Sequence, residues 1–185
     1  AQERREKITA LLNKTGLSFT FVDAIDGRSF DMTTQPAYDR QRRLRFFGRD
    51  MTGGELGCTL SHKKIYEMMI EKNIPEALIF EDDILLHDNF MTALDAVLGC
   101  PVPYDCVRFF GTPKILKAKK RKIYDLADGL SLNRLCATPG GAYAYLMKQA
   151  GARKLLPHLQ KNTYPIDGLI GRSWQTGLDW LAVLP

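Results

Sequence analysis

Ala77-Leu78-Ile79-Phe80-Glu81-Asp82-Asp83 is an apolar run that ends in adjacent carboxylates, before the chain turns apolar again at Ile84-Leu85-Leu86. The apolar half has the length and residue types of a buried strand. The acidic half repels itself, and packing alone gives no reason to gather these charges at a strand end. A hard divalent cation does, because Mg²⁺ or Mn²⁺ takes oxygen ligands and keeps sites for water and substrate phosphates. The stretch therefore points to an enzyme handling a phosphorylated or nucleotide-linked substrate. In extended geometry Glu81 and Asp83 share one face and are the expected metal ligands. Asp82 is then turned away, toward a sugar hydroxyl or a backbone amide. A solvent-exposed acidic turn is the plainer alternative.

Working outward, Thr52-Gly53-Gly54-Glu55 is a capping box, so a helix is expected to run from it to about Lys72. Cys58, Ile65 and Met69 fall on one side of that helix, and Glu55, Thr59 and His62 on another. His62 reads as a ligand, a phosphate donor or a satisfied helix histidine, the last being the leading reading. Further upstream, Arg4 to Leu12 reads as a helix and Leu17 to Val22 as an alternating strand ending in the turn Asp23-Ala24-Ile25-Asp26-Gly27. Residues 31 to 50 show no clean periodicity and read as loop or short helix.

Downstream, a helix follows His87-Asp88-Asn89 with Phe90, Leu94, Val97 and Leu98 inward, stopped by Gly99 and Pro101. Cys106 to Phe110 is a second strand, residues 115 to 135 suggest a basic hairpin, and Gly140 to Leu146 is a third strand. Gly140-Gly141 marks either a close substrate approach or a tight strand entry. Lys148 to Leu156 reads as a helix, Pro165-Ile166-Asp167-Gly168 opens a short one, and Trp180 to Leu184 closes the chain as a strand. Strands alternating with helices predict one α/β domain over residues 1–185, with a mixed, mostly parallel sheet flanked by helices. Ligands of such sheets gather at strand carboxyl ends, where the acidic cluster lies. Asp167 either complements a helix dipole or serves as a general base.

Hydrophobic residues make up 45% of the 185 residues, enough for one core and too few residues for two comfortable domains. No run approaches the length of a membrane span, and the charged N-terminus is unlike a signal peptide. The cysteines Cys58, Cys100, Cys106 and Cys136 form no CxxC pair, no His is read at zinc-ligand spacing, and all four are expected as buried reduced thiols. The net charge of +5 comes largely from Arg40, Arg42, Arg43, Arg45 and Arg49, interrupted by Phe46-Phe47, and from Lys114 through Lys119-Lys120-Arg121-Lys122. Such basic surfaces suit nucleotides, anionic lipid head groups or nucleic acid.

Thr52-Gly53-Gly54-Glu55-Leu56-Gly57-Cys58-Thr59-Leu60-Ser61-His62, followed by Ala77 through Asp83, resembles glycosyltransferase family 25. Further matches are Phe21-Val22-Asp23-Ala24-Ile25-Asp26-Gly27, Gly141-Ala142-Tyr143, Gly151-Ala152-Arg153-Lys154-Leu155-Leu156 and Pro165-Ile166-Asp167, in the expected order along nearly the whole chain. The family includes bacterial lipooligosaccharide galactosyltransferases and is related to collagen galactosyltransferases. The resemblance implies a GT-A-like fold and an inverting, metal-assisted transfer of galactose, or a related hexose, from a UDP-sugar to a saccharide hydroxyl. By that likeness Glu81 and Asp83 hold Mn²⁺ or Mg²⁺. Arg4, Arg5, Asp23, Ala24, Asp26, Ser61, His62, Asp82 and Gly141 serve the donor. Asp167 is the first choice of base and Glu55 the second. The family's opening strand and its continuation beyond Pro185 are missing from the sequence, so a trimmed domain lacking that first strand is expected. Lipopolysaccharide or lipooligosaccharide synthesis, in the cytoplasm with peripheral contact at the anionic inner membrane and no nucleic-acid partner, is the expected setting. Transfer to collagen hydroxylysine is the alternative within the class. A metal-dependent nuclease or phosphatase, or a non-catalytic sugar-nucleotide-binding module, is the alternative outside it.

Overall fold

Capping signals and apolar period place the helices, and short apolar runs place the strands. The computed structural model describes residues 2–110 and 113–185, without the side chains of residues 113 and 114, so the Lys114 end of the basic cluster lies outside the described residues. The helices are α1 (Gln2–Asn13), α2 (Arg40–Phe47), α3 (Gly53–Glu71), α4 (Phe90–Leu98), α5 (Pro113–Leu116), α6 (Gln149–Leu155), α7 (Ile166–Ile170) and α8 (Ser173–Thr176). The strands are β1 (Glu76–Phe80), β2 (Cys106–Phe109), β3 (Lys120–Asp125), β4 (Ser131–Leu135), β5 (Ala144–Lys148) and β6 (Trp180–Leu184).

The predicted capping box forms at α3. Thr52 Oγ1 accepts from the Glu55 amide at 3.1 Å, and the Glu55 carboxylate accepts from the Thr52 amide at 2.7 Å. Two of the helix's otherwise orphaned donors are thereby satisfied, typically worth about 1 kcal/mol for the cap. Gly27 sits against the start of this helix, where an added Cβ would lie 1.9 Å from the Gly53 carbonyl oxygen. Only paired glycines let the segment around Gly27 approach so closely.

The six strands form one sheet in the order β1-β5-β2-β6-β4-β3. Side chains alternate across it. Tyr145, Met147, Trp180 and Ala182 join the core under α3, α6 and α7, while Leu146, Val107, Leu181 and Val183 join the core under α4. The result is a mixed α/β sheet flanked by helices, consistent with the GT-A-like expectation. Within this sheet, however, parallel pairing is confined to β2 with β6. β5 returns antiparallel between β1 and β2, and the basic hairpin β3-β4 adds antiparallel pairs at the far edge.

Leu17–Val22 is not a strand, and its backbone joins no ladder. Its alternation has another cause: Phe19 and Phe21 pack with Ile8, Leu12 and Ile84 beside the end of β1. The third strand starts at Ala144 rather than Gly140, because Gly141 adopts φ +84°, which breaks extended geometry. Leu98, expected inward, is exposed, and Ala93 takes the inner position with Phe90, Leu94 and Val97. Of the cysteines only Cys106 is fully buried and Cys136 is exposed; all are free thiols. No helix is long and apolar enough to cross a membrane among the described residues.

Candidate active site

β1 ends at Phe80, and Glu81 begins a turn rather than continuing the strand. The Glu81 amide still donates to the Tyr143 carbonyl at 2.9 Å, which ties the turn to the loop before β5. Because the chain has left extended geometry, the expected alternation does not hold. Asp82 and Asp83 both reach outward to one guanidinium, with Arg4 Nη1 3.2 Å from Asp82 Oδ1 and 3.4 Å from Asp83 Oδ2. α1 sets that contact, since Ile8, one turn beyond Arg4, packs against Ile84 just after the acidic turn. Glu81 turns inward. Burial first, then the Asp83 and Asp167 carboxylates, push its carboxyl up to about 6, partly offset by a hydrogen bond from the Ala142 amide.

α3 and α7 supply the inner wall. Asp167 is held at both oxygens: Oδ2 accepts from the Gly141 amide at 2.7 Å and Oδ1 from the Gly168 amide at 2.6 Å. Gly141 is itself fixed by Arg108, whose Nη2 donates to its carbonyl and to that of Pro139 at 3.2 Å. Arg108 is 1% exposed and stacks over Phe110 and Trp180, at 4.5 and 5.3 Å from the ring centroids. A buried guanidinium is costly without a counter-charge, and the Asp167 carboxylate is the nearby one that favours it.

His62 is buried in α3, with Nδ1 2.6 Å from the Tyr145 hydroxyl, which in turn lies 2.8 Å from the Tyr66 hydroxyl. Burial pulls its pKa down to about 4, against the opposing charge of Asp167, so the ring is neutral at pH 7. Cys58, one turn earlier, has its thiol pushed up to about 12 by burial and then by the Glu81, Asp167 and Asp83 carboxylates. Cys58, His62 and Glu81 each bring a ligand atom within 4.8 Å of the others. The expectation that no histidine stands at metal spacing from a cysteine is therefore corrected. Four residues along a helix is one turn, and the fold adds Glu81 from the turn after β1.

The other donor-site candidates line the rim between α1 and α3. Arg5 lies 3.7 Å from Asp23 and stacks 4.2 Å over Phe21, while Ala24 is exposed beside them. Ser61 Oγ accepts from the Ile25 amide at 2.8 Å, seating this segment on α3. Asp26 is gripped by Arg28, whose hydrogen bonds draw its carboxyl down to about 2. Glu55 stands apart. Its carboxylate is engaged in the capping box, about 10 Å along the helix axis from His62.

The structure thus brings together Glu81, Asp83, Asp167, Gly141 and His62, with Asp82 beside Asp83 on Arg4, while Asp23 pairs with Arg5 and Asp26 with Arg28 along the segment seated on α3. The three carboxylates of the turn do not converge as one ligand set: Glu81 faces inward, and Asp82 and Asp83 face outward to Arg4. Glu81, Asp82 and Asp83 offer oxygens only, the donor type a hard dication takes, and the raised pKa of Glu81 comes first from burial and then from the Asp83 and Asp167 charges. Sequence reading missed Cys58, Tyr145 and Arg108. The signal for Arg108 was present, since a lone arginine inside Cys106-Val107-Arg108-Phe109-Phe110 breaks an otherwise apolar strand. The arginine cluster is also less free than expected: Arg43 is buried, donating to the Arg49 and Thr163 carbonyls, and Arg40 pairs with Asp50 at 2.9 Å. Two open depressions, about 410 and 340 Å³, flank α2 beside Arg40 and Arg42.

A mixed six-stranded α/β sheet flanked by helices, with carboxylates at the carboxyl end of β1, has the architecture of a GT-A-like domain. The family described as glycosyltransferase family 25 (LPS biosynthesis protein) matches residues 1–170, and the chain belongs to that family. It is similar to a glycosyltransferase 25 family member of Drosophila melanogaster, 32% identical over 180 residues that cover 91% of this chain and 27% of the relative. An Aedes aegypti member is 32% identical over 83% of the chain and 26% of the relative. A Homo sapiens relative described as inactive glycosyltransferase 25 family member 3 is 29% identical over 83% of the chain and 26% of the relative. The chain thus spans about a quarter of the length of these relatives.

Proposed function

We propose that the chain transfers a hexose, galactose in the first instance, from a UDP-sugar to a saccharide hydroxyl with inversion. The observation that carries the reading is the meeting of the Glu81-Asp82-Asp83 turn with an Asp167 carboxylate fixed at both oxygens, in a chain of this family. Glu81 and Asp83 would hold Mn²⁺ or Mg²⁺, which supplies charge neutralisation for the departing diphosphate. Arg5, Asp23, Ala24, Asp26 and Ser61 border the space a nucleoside would take, and Asp82 and His62 flank the diphosphate. Asp167, oriented by the Gly141 and Gly168 amides, takes the acceptor's proton as the new glycosidic bond forms. Its tight orientation favours it over Glu55, whose carboxylate is committed to the capping box.

The acceptor proposed is lipooligosaccharide or lipopolysaccharide at the inner membrane. Arg42, Arg45 and the exposed Phe46 of α2 suit contact with anionic lipid. One observation favours a second reading, a non-catalytic sugar-nucleotide-binding module: Arg4 engages Asp82 and Asp83 at the cation's place. Turnover decides between them. With Mn²⁺ and UDP-galactose or UDP-glucose, UDP release is measured against a lipooligosaccharide and a hydroxylysine peptide. The expected result is acceptor-dependent release of UDP that falls at least about 100-fold in Asp167→Asn with UDP affinity kept. Transfer at the normal rate in that variant removes Asp167 as base. No transfer to any acceptor by a chain that binds UDP favours the module.

A further inference from the structure

The thiol of Cys58 has no place in an all-oxygen cation site, yet it stands with His62 and Glu81 in the one group of potential ligands that converges among the described residues. We propose that Cys58, His62 and Glu81 form a site for a borderline-soft divalent ion of the Zn²⁺ class, sharing Glu81 with the hard-cation anchor. Thiolate and imidazole select such an ion, whereas Mg²⁺ and Mn²⁺ prefer the outer carboxylates.

Geometry supports the assignment. The ligand atoms lie within 4.8 Å of one another, and tetrahedral zinc with Zn–S near 2.3 Å and Zn–N near 2.0 Å needs separations of roughly 3.3–3.6 Å. Cys58 and His62 stand one turn apart on α3, and Glu81 comes from the turn after β1, so closing the set on an ion needs side-chain movement and no change of fold. Second, His62 is already oriented as a metal ligand would be. Nδ1 faces the Tyr145 hydroxyl, which hydrogen-bonds on to Tyr66, and this leaves Nε2 as the nitrogen for the ion. Third, charge closes: one dication with one thiolate and one carboxylate is neutral, and the thiol proton leaves to solvent on binding. Three protein ligands keep a fourth position open for water or a diphosphate oxygen.

The consequence is regulatory and rests on the reading that Glu81 serves the donor's cation. An ion held by Cys58 and His62 withdraws Glu81 from Mn²⁺, so zinc and manganese exclude one another.

Co²⁺ is the probe, added to the reduced chain and followed by absorption. The expected result is a thiolate-to-cobalt charge-transfer band with tetrahedral d–d bands that saturates at one equivalent and is erased by Zn²⁺. Cys58→Ser should lose the band and Cys136→Ser should keep it. Glu81→Gln, which retains the thiol, should keep a band but weaken Co²⁺ binding at least about tenfold. Absence of a thiolate band in folded wild type overturns the site. So does a band that survives Cys58→Ser, or one lost only in Cys136→Ser. Release of bound Mn²⁺ by one equivalent of Zn²⁺, read by electron paramagnetic resonance, tests the shared carboxylate, and unchanged Mn²⁺ occupancy overturns it. Co²⁺ binding with no UDP binding would sink the transferase reading and leave this site standing.

Discussion

Glu81→Gln should stabilise the metal-free protein and at the same time remove its response to Mn²⁺. In the fold the carboxyl titrates near 6 instead of its ordinary 4.5, so between these pH values the folded state holds a proton the unfolded chain has released. Stability therefore falls as pH rises through that window, and the loss is complete above pH 6. The full shift corresponds to about 2 kcal/mol. The side chain is partly exposed, and solvent screening reduces this to about 1 kcal/mol. Glutamine keeps an acceptor for the Ala142 amide and removes the charge that Asp83 and Asp167 oppose. In chelator at pH 8 the variant should be about 1 kcal/mol more stable, or about 2–4 °C higher in Tm, with little gain below pH 5. Mn²⁺ at 100 times its Kd should stabilise wild type by about 2.7 kcal/mol and the variant by much less, which inverts the order. Urea denaturation at pH 5 and 8, with chelator or Mn²⁺, reads all of this. A variant less stable than wild type in chelator at pH 8, or one that gains as much from Mn²⁺, refutes the reasoning.

Arg4→Ala removes a cation from Asp82 and Asp83. The ion pairs are more than half exposed, so stability should change by less than about 1 kcal/mol, while calorimetry should show Mn²⁺ binding more tightly. Unchanged or weaker Mn²⁺ binding would mean that Arg4 does not compete for those carboxylates. Arg108→Met leaves the Gly141 and Pro139 carbonyls without their donor and should cost about 2–4 kcal/mol in urea unfolding. In the fraction that folds, kcat should fall more than UDP affinity, because Asp167 loses the anchored Gly141 amide.

Much of the fold was legible because its signals are local. Thr52 and Glu55 announce α3, Gly99 ends α4, and Trp180 to Leu184 reads as a strand in isolation. Leu17–Val22 misled because alternating Phe19 and Phe21 are produced as well by packing onto α1 as by a ladder. Strand direction was not legible, since antiparallel insertion of β5 between β1 and β2 is a non-local pairing. At the site, the acidic turn and Asp167 were visible as residue types. What positions them was not: Arg4 arrives from 78 positions away, Arg108 acts through a carbonyl 33 positions on, and Tyr145 reaches from β5 to His62 on α3, 83 positions apart.

Calorimetric titration of UDP into the folded chain, with Mn²⁺ and with chelator, for wild type and Asp83→Ala, addresses the acidic turn most directly. Binding that requires Mn²⁺ in wild type and loses that requirement, together with most of its affinity, in Asp83→Ala is the predicted result. Failure of the folded wild type to bind UDP, or Mn²⁺-dependent binding left unchanged by Asp83→Ala, would contradict it.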